Sequence, residues 1–272
     1  MIHITNMTPL IIMNSFDNKI DYLKHKLIYH ADMSNISEDA IINKISNVWG
    51  QYSIYHLFNL PELHYVEFYE KLAKSIGNIR NCRAVNDKKS NYSLSRDIKP
   101  NPDLNHYFAS NTRQPLHTDY AYYEKSKSPE WLLLYCLKNS KYGGKTNILS
   151  SKKLLTILKC YKPELINKLD IDINWLYRGP NGDKIHKKPI LHDTFINWNY
   201  WQIKSKYNDS STMHVVNEFF EFLEDIIVSG NIYDFSKKWS IGDCLIFNDR
   251  INLHGRDAFV GDRWLKDHAI YS

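Results

Sequence analysis

The chain of 272 residues is 43% hydrophobic and 24% charged, a composition that suits one sizeable globular domain and excludes a peptide-sized scaffold. Apolar runs such as Pro9 to Met13 and Trp131 to Leu134 fall far short of the roughly 20 residues that span a bilayer, so no membrane partner is expected. Lys+Arg 35 against Asp+Glu 30 leave a net charge of +5 with no long block of one sign, and no nucleic-acid partner is expected.

The amino terminus, Met1 to Asn6, lacks the basic and apolar regions of a secretory signal, so the expected location is the cytoplasm. Cys82, Cys136, Cys160 and Cys244 are widely separated and form no C-x-x-C pair, which reads as reduced, mostly buried thiols. Neither a linker nor a repeat interrupts the chain, so residues 1–272 are expected to form a single domain.

In chain order, Ser37 and Glu38 open a helix through Ile45, Gln51 to Leu57 reads as a strand, and Leu63 to Ile76 is helical until Gly77 ends it. Short strands follow at Leu116 to Tyr123, Trp131 to Leu137 and Lys145 to Leu149, with Gly143-Gly144 turning the chain between the last two. Ser150 and Ser151 are candidate caps for a helix from Lys152 to Tyr161. A longer helix from Met213 to Val228 carries an apolar stripe of Val216, Phe219, Phe220, Leu223, Ile226 and Ile227. Strands at Asp243 to Asn248 and Trp264 to Tyr271 flank a polar corner bearing Asn252, His254, Gly255 and Arg256. Many short strands, with helices at the start and in an insertion, give a mainly β fold with flanking helices (α+β), a jelly-roll core. Within the one domain, 1–105 form a helix-rich flank with the first strands, 106–150 and 237–272 the core strands, and 151–236 the insertion.

His117-Thr118-Asp119 is the leading candidate for chemistry, because residues i and i+2 of a strand share a face and could share a cation. The spacing alone is cheap: with this many His and Asp, roughly one such tripeptide arises by chance, and His30-Ala31-Asp32 is a second. Context separates them, since His117 lies in an apolar, strand-like setting and His30 leads into a polar one. His254, after the strand Cys244-Leu245-Ile246-Phe247, is the best third ligand. Two His and one carboxylate form the facial triad of non-haem Fe(II) oxygenases and leave positions for a bidentate oxo-acid and O2. The far carboxylate of such an oxo-acid needs a cation and a hydroxyl: Arg263 with Thr146 can supply them, and Arg256 is the competing anchor.

Together these segments carry a family resemblance. Leu116-His117-Thr118-Asp119 with Tyr122-Tyr123-Glu124, Leu134-Tyr135-Cys136-Leu137, Gly143-Gly144-Lys145-Thr146, and Asn252-Leu253-His254-Gly255-Arg256 with Phe259, Gly261 and Arg263 resemble the Fe(II)/2-oxoglutarate dioxygenases of the taurine dioxygenase and γ-butyrobetaine hydroxylase group. The resemblance implies a double-stranded β-helix with His117, Asp119 and His254 on iron, and Arg263 with Thr146 on 2-oxoglutarate. It also implies O2 as co-substrate, with CO2 and succinate released as a substrate C–H bond is oxidised, most simply by hydroxylation. Asp119 disfavours halogenation, since related halogenases place a small residue there.

In the taurine-type members a second arginine stands four positions after the oxoglutarate arginine; here that position is Asp267. A carboxylate there suggests an amine-bearing or amino-acid-derived small molecule. Tyr120, Tyr122 and Tyr123, with Trp198 or Trp201, are candidate pocket walls, so the candidate substrate contacts are Tyr120, Tyr122, Arg256 and Asp267. The alternatives are a non-catalytic metal- or ligand-binding β-barrel and an oxygenase acting on a protein side chain.

Overall fold

Strict alternation of side chains along the strands builds two sheets whose facing surfaces form one apolar layer and whose outer surfaces take helices. The computed structural model describes residues 27–60, 66–83, 92–103, 107–124, 127–179 and 182–272. Its labelled strands are β1 (Ile28–Asp32), β2 (Ile54–Phe58), β3 (Asn78–Ile79), β4 (Arg96–Ile98), β5 (Gln114–His117), β6 (Trp131–Lys138) and β7 (Thr146–Ser150). They continue with β8 (Ile173–Gly179), β9 (Gly182–Lys188), β10 (Phe235–Lys237), β11 (Cys244–Asn248), β12 (Asn252–Arg256) and β13 (Trp264–Tyr271). The α-helices are α1 (Glu38–Val48), α2 (Val66–Ile76), α3 (Ser151–Tyr161), α4 (Pro163–Leu169) and α5 (Ser210–Phe222), which runs on as a π-helical turn over Leu223–Val228.

The larger, seven-stranded sheet has the order β1-β2-β11-β6-β13-β3, with β4 pairing on β13; the four-stranded sheet has the order β10-β7-β12-β5. Apart from the parallel pair β1–β2, the labelled neighbours in both sheets run antiparallel. Leu132, Leu134, Leu245, Phe247 and Leu265 of the large sheet pack with Ile148 and Phe235 of the small one. Their strand neighbours Leu133, Tyr135 and Ile246 turn the other way, onto Ile41 and Ile45 of α1 and Phe68, Tyr69 and Leu72 of α2. Leu116, Leu149 and Leu253 face outward from the small sheet and meet the insertion through Leu154, Leu158, Trp175, Val216 and Phe219. The result is the expected double-stranded β-helix core with helical flanks. No described helix is long and apolar enough to cross a membrane.

Local signals place the helix starts: the Ser37 and Ser150 hydroxyls accept from the Ala40 and Lys153 N–H groups at 3.4 and 3.2 Å. Of the expected helix Leu63 to Ile76, residues 63–65 lie outside the described set, as do all expectations before residue 27. Cys136 and Cys244 are buried as expected, whereas Cys160 is exposed.

Two expectations are corrected. The strand expected over Leu116 to Tyr123 ends at His117, because the Thr118 N–H is drawn to the Trp198 carbonyl (2.6 Å) and the Asp119 N–H to Asp249 (3.0 Å), which turns the chain out of the sheet. The polar corner at Asn252 to Arg256 is a fully buried strand, pairing with β7 on one side and β5 on the other. Its polar side chains had suggested a loop, but His254 and Arg256 turn to an internal cavity.

Candidate active site

His254 of β12 lies opposite His117 of β5 and Ile148 of β7, so the pairing of three strands fixes both imidazoles on the inner face of the small sheet. Gly255 permits the close approach: a Cβ there would stand 3.0 Å from the Gln114 carbonyl oxygen and 3.3 Å from the Leu116 nitrogen. The ring centroids of His117 and His254 are 4.2 Å apart. Asp119 reaches them from the turn after β5, its Oδ1 lying 3.2 Å from His117 Nε2 and 3.7 Å from His254 Nε2. Candidate ligand atoms of the three residues all lie within 4.8 Å of one another, the only such metal-sized group among the described residues.

The outer nitrogens set the orientation. His117 Nδ1 lies 2.9 Å from the Pro115 carbonyl, and His254 Nδ1 faces Asp249 Oδ1 at 3.3 Å, a charge contact without hydrogen-bond alignment, so both rings present Nε2 to the shared centre. Burial opposes charge on His254, but Asp119 and Asp249 outweigh it and push its pKa up to about 9. Burial also works against the Asp119 carboxylate, yet the Arg96 guanidinium and the two imidazoles hold its pKa well below the ordinary carboxylate range.

At the other end of the cavity lie two buried arginines. Arg263 is 4% exposed, no carboxylate among the described residues pairs with it, and its Nη2 meets only the Thr146 hydroxyl, at 3.5 Å. Trp239 Nε1 donates to the same hydroxyl at 2.5 Å. With its acceptor capacity taken, Thr146 can donate its own hydrogen into the cavity. Burial, then the neighbouring Arg256, pull the Arg263 pKa down to about 9. Gly144 makes room here, since a Cβ would come within 2.8 Å of Ser140 Oγ and 3.4 Å of Arg263 Cδ, and its φ of +74° is one that glycine adopts freely. The cavity joining the two ends measures about 920 Å³.

This arrangement of a two-histidine, one-carboxylate cluster with an unpaired buried arginine beyond it accompanies a match, over residues 30–267, to the family described as taurine catabolism dioxygenase TauD, TfdA family. The chain belongs to the TauD/TfdA dioxygenase family. It is an Fe(II)- and 2-oxoglutarate-dependent dioxygenase, with O2 as the other co-substrate.

No curated protein matches this TauD/TfdA dioxygenase. Solved structures share its fold. An asparagine oxygenase in complex with Fe(II), 2S,3S-3-hydroxyasparagine and succinate is 15% identical with a TM-score of 0.63, covering 85% of this chain and 78% of that one. The oxygenase OrfP in complex with Fe and alpha-ketoglutaric acid is 16% identical with a TM-score of 0.56, covering 86% and 79%, and a variant of it has been solved with (3S)-hydroxy-L-Arg. The PvcB protein from Pseudomonas aeruginosa is 12% identical with a TM-score of 0.58, covering 91% and 87%.

The structure brings His117, Asp119, His254, Thr146, Arg263, Arg256 and Tyr122 of this dioxygenase to one cavity. Arg256 is turned to another task, its Nη2 sharing hydrogens among the carbonyls of Tyr107, Ser110 and Thr112 at 3.0, 2.8 and 2.8 Å. Asp267 is a correction: only 2% exposed, it accepts from the Arg96 main-chain N–H and guanidinium, so its charge is not offered to a substrate. Tyr120 is another, being buried under the Arg80 guanidinium with 5.0 Å to its ring centroid, away from the cavity wall. Trp198 belongs to the core, and its neighbours Asn199, Tyr200, Trp201 and Gln202 line the cavity instead. Sequence reasoning missed Arg96, Asp249 and Gln114, whose side-chain Nε2 lies 3.0 Å from His117 Nε2. Asp249 carried a signal in its place between β11 and β12, whereas Arg96, in the polar run Ser95-Arg96-Asp97, carried none.

Proposed function

We propose that this dioxygenase hydroxylates a C–H bond of a small, polar, amino-acid-derived molecule, releasing succinate and CO2. The observation that supports it best is the pairing, within one cavity, of the His117, Asp119 and His254 cluster with a buried, anion-lacking Arg263. His117 Nε2, Asp119 Oδ1 and His254 Nε2 would hold Fe(II), and Arg263 with Thr146 would hold the far carboxylate of 2-oxoglutarate. When bound, iron and oxo-acid supply the oxidation: one oxygen atom of O2 enters succinate, the other the new hydroxyl, and CO2 leaves. The protein's own work is to orient. Asp249 keeps the His254 ring turned, Thr146 and Arg263 fix one end of the co-substrate, and the apolar walls Leu134, Ile98 and Leu265 limit water.

The substrate class is supported by charge. With Arg263 given to 2-oxoglutarate and Arg96 neutralised by Asp119 and Asp267, Lys204 and Arg256 remain as cations lining the cavity, a balance that suits a carboxylate-bearing substrate. The asparagine and arginine derivatives bound by two fold neighbours point the same way. With Asp267 held by Arg96, an amine would instead be met by neutral groups such as Asn199, Gln202 and Tyr200. The test is anaerobic addition of Fe(II) and 2-oxoglutarate, read by the visible metal-to-ligand charge-transfer band, followed by succinate release with a panel of amino acids. A band that disappears in His117→Ala and weakens in Arg263→Ala supports the reading. Its absence in folded, saturated wild-type protein overturns it, and a band without succinate release from any amino acid overturns the substrate class.

A further inference from the structure

Arg96 stands in β4, a short strand laid on β13 with Leu265 opposite Ile98, Lys266 opposite Asp97 and Asp267 opposite Arg96. Asp267 accepts from the Arg96 main-chain N–H at 3.2 Å, from its Nε at 3.0 Å and from its Nη2. That same Nη2 donates to Asp119 Oδ2 at 2.7 Å, so one guanidinium bridges two carboxylates. Asp119 is further held through its main chain, whose N–H donates to Asp249 Oδ2 at 3.0 Å. With Oδ2 engaged by Arg96, Oδ1 is the oxygen left near His117 Nε2 and His254 Nε2, at 3.2 and 3.7 Å.

We propose that Arg96 is a positioning residue for the metal centre: it restricts Asp119 to one coordinating oxygen, while Asp267 aims the guanidinium and cancels its charge. The inference rests on the reading of His117, Asp119 and His254 as metal ligands. A carboxylate free to rotate can chelate through both oxygens and take a coordination position; one whose second oxygen is held by a guanidinium cannot do so without breaking a charge-assisted bond. A facial triad must keep its remaining positions open for the oxo-acid and O2, so this restraint serves the reaction. A lone guanidinium one hydrogen bond from a ligand oxygen would repel a divalent cation, and the nearly unexposed Asp267 removes that net charge. Asp267, which had suggested a substrate contact, thus acts on the metal through Arg96.

The test is titration of the full chain with Co(II), followed by its visible d–d bands, with the melting temperature of the metal-free protein measured in parallel. The variants are Arg96→Gln, Arg96→Lys, Asp267→Asn and the double Arg96→Gln/Asp267→Asn, which removes the paired Arg96 and Asp267 charges together. The double variant is expected to fold, to bind Co(II) about ten- to a hundredfold more weakly than wild type, as loss of an outer partner of a ligand generally does, and to shift the d–d bands as the released Asp119 offers its second oxygen. Arg96→Lys, able to donate once to Asp119 Oδ2, should recover part of that loss. Asp267→Asn should also weaken binding, because the guanidinium charge is then uncompensated. A folded double variant with wild-type Co(II) affinity overturns the proposal, since pinning β4 to β13 would lower the melting temperature and leave affinity alone. Should the double variant not fold, Arg96→Lys carries the comparison, and equality with wild type again overturns it. A wild-type chain that takes up no Co(II) overturns the metal-centre reading itself, a failure distinct from the other two.

Discussion

The chain contains two His-x-Asp tripeptides, and they meet opposite fates. His30 and Asp32 lie in β1, a true strand, and by the period of two they share a face; that face is exposed. Asp32 turns back to accept the Ser34 N–H at 2.9 Å, while His30 Nδ1 meets His56 Nδ1 at 3.2 Å and Lys237 Nζ stands 3.2 Å from His56 Nε2. His117 and Asp119 form a cluster because β5 stops at His117 and the chain turns, which swings Asp119 under both imidazoles. What distinguishes a ligand pair is therefore a strand end at the mouth of a cavity, with a third residue paired opposite. The tripeptide alone does not.

Several measurements can break or sharpen this contrast. The largest effect is expected from His117→Ala or Asp119→Ala: loss of the charge-transfer band and of succinate release, with a melting temperature near that of wild type. Next, Arg263→Ala should weaken 2-oxoglutarate binding about a hundredfold by calorimetry of the metal-loaded protein, since truncating one side of a buried charge pair removes about 2–5 kcal/mol. Metal affinity measured without the oxo-acid should be unchanged in that variant.

A smaller effect belongs to the other pair. Burial, the Lys237 charge and His30 together lower the His56 pKa to about 3, and His30 is lowered as well. Both folded values lie below the unfolded 6.5, so the stabilisation is complete above pH 6.5 and is lost as pH falls from there towards 3, where the unfolded chain binds more protons. Denaturant titrations between pH 7 and 4 should show that fall, and His56→Asn should make it shallower. The smallest effect is expected from Asp32→Ala: Fe(II) and 2-oxoglutarate affinities within twofold of wild type. A large loss there would erase the contrast between the tripeptides.

Much of the fold was legible because a buried strand such as Trp131–Lys138 is apolar and bounded by turn residues, and because Ser37 and Ser150 are real caps. The cluster His117, Asp119 and His254 was legible through motif order, though for Asp119 the geometric argument was wrong, since a turn takes the place of the strand. Asn252 to Arg256 misled because a strand lining a polar cavity carries polar residues and so lacks the apolar signature of a core strand. Asp267 misled for a different reason. Its partner Arg96 lies 171 positions away, and no local pattern records that β4 lies on β13.

The Arg256 clamp bears on how the cavity admits a ligand. Because one buried nitrogen holds the carbonyls of Tyr107, Ser110 and Thr112, that stretch stands as a fixed jamb. Opening it would strip three acceptors from a cation with no carboxylate of its own among the described residues. The side carrying Asn199 to Lys204, where Trp201 is 46% exposed, has no such anchor from Arg256. A wall fixed before any ligand arrives leaves less of the cavity to be ordered on binding, which lowers the entropy lost.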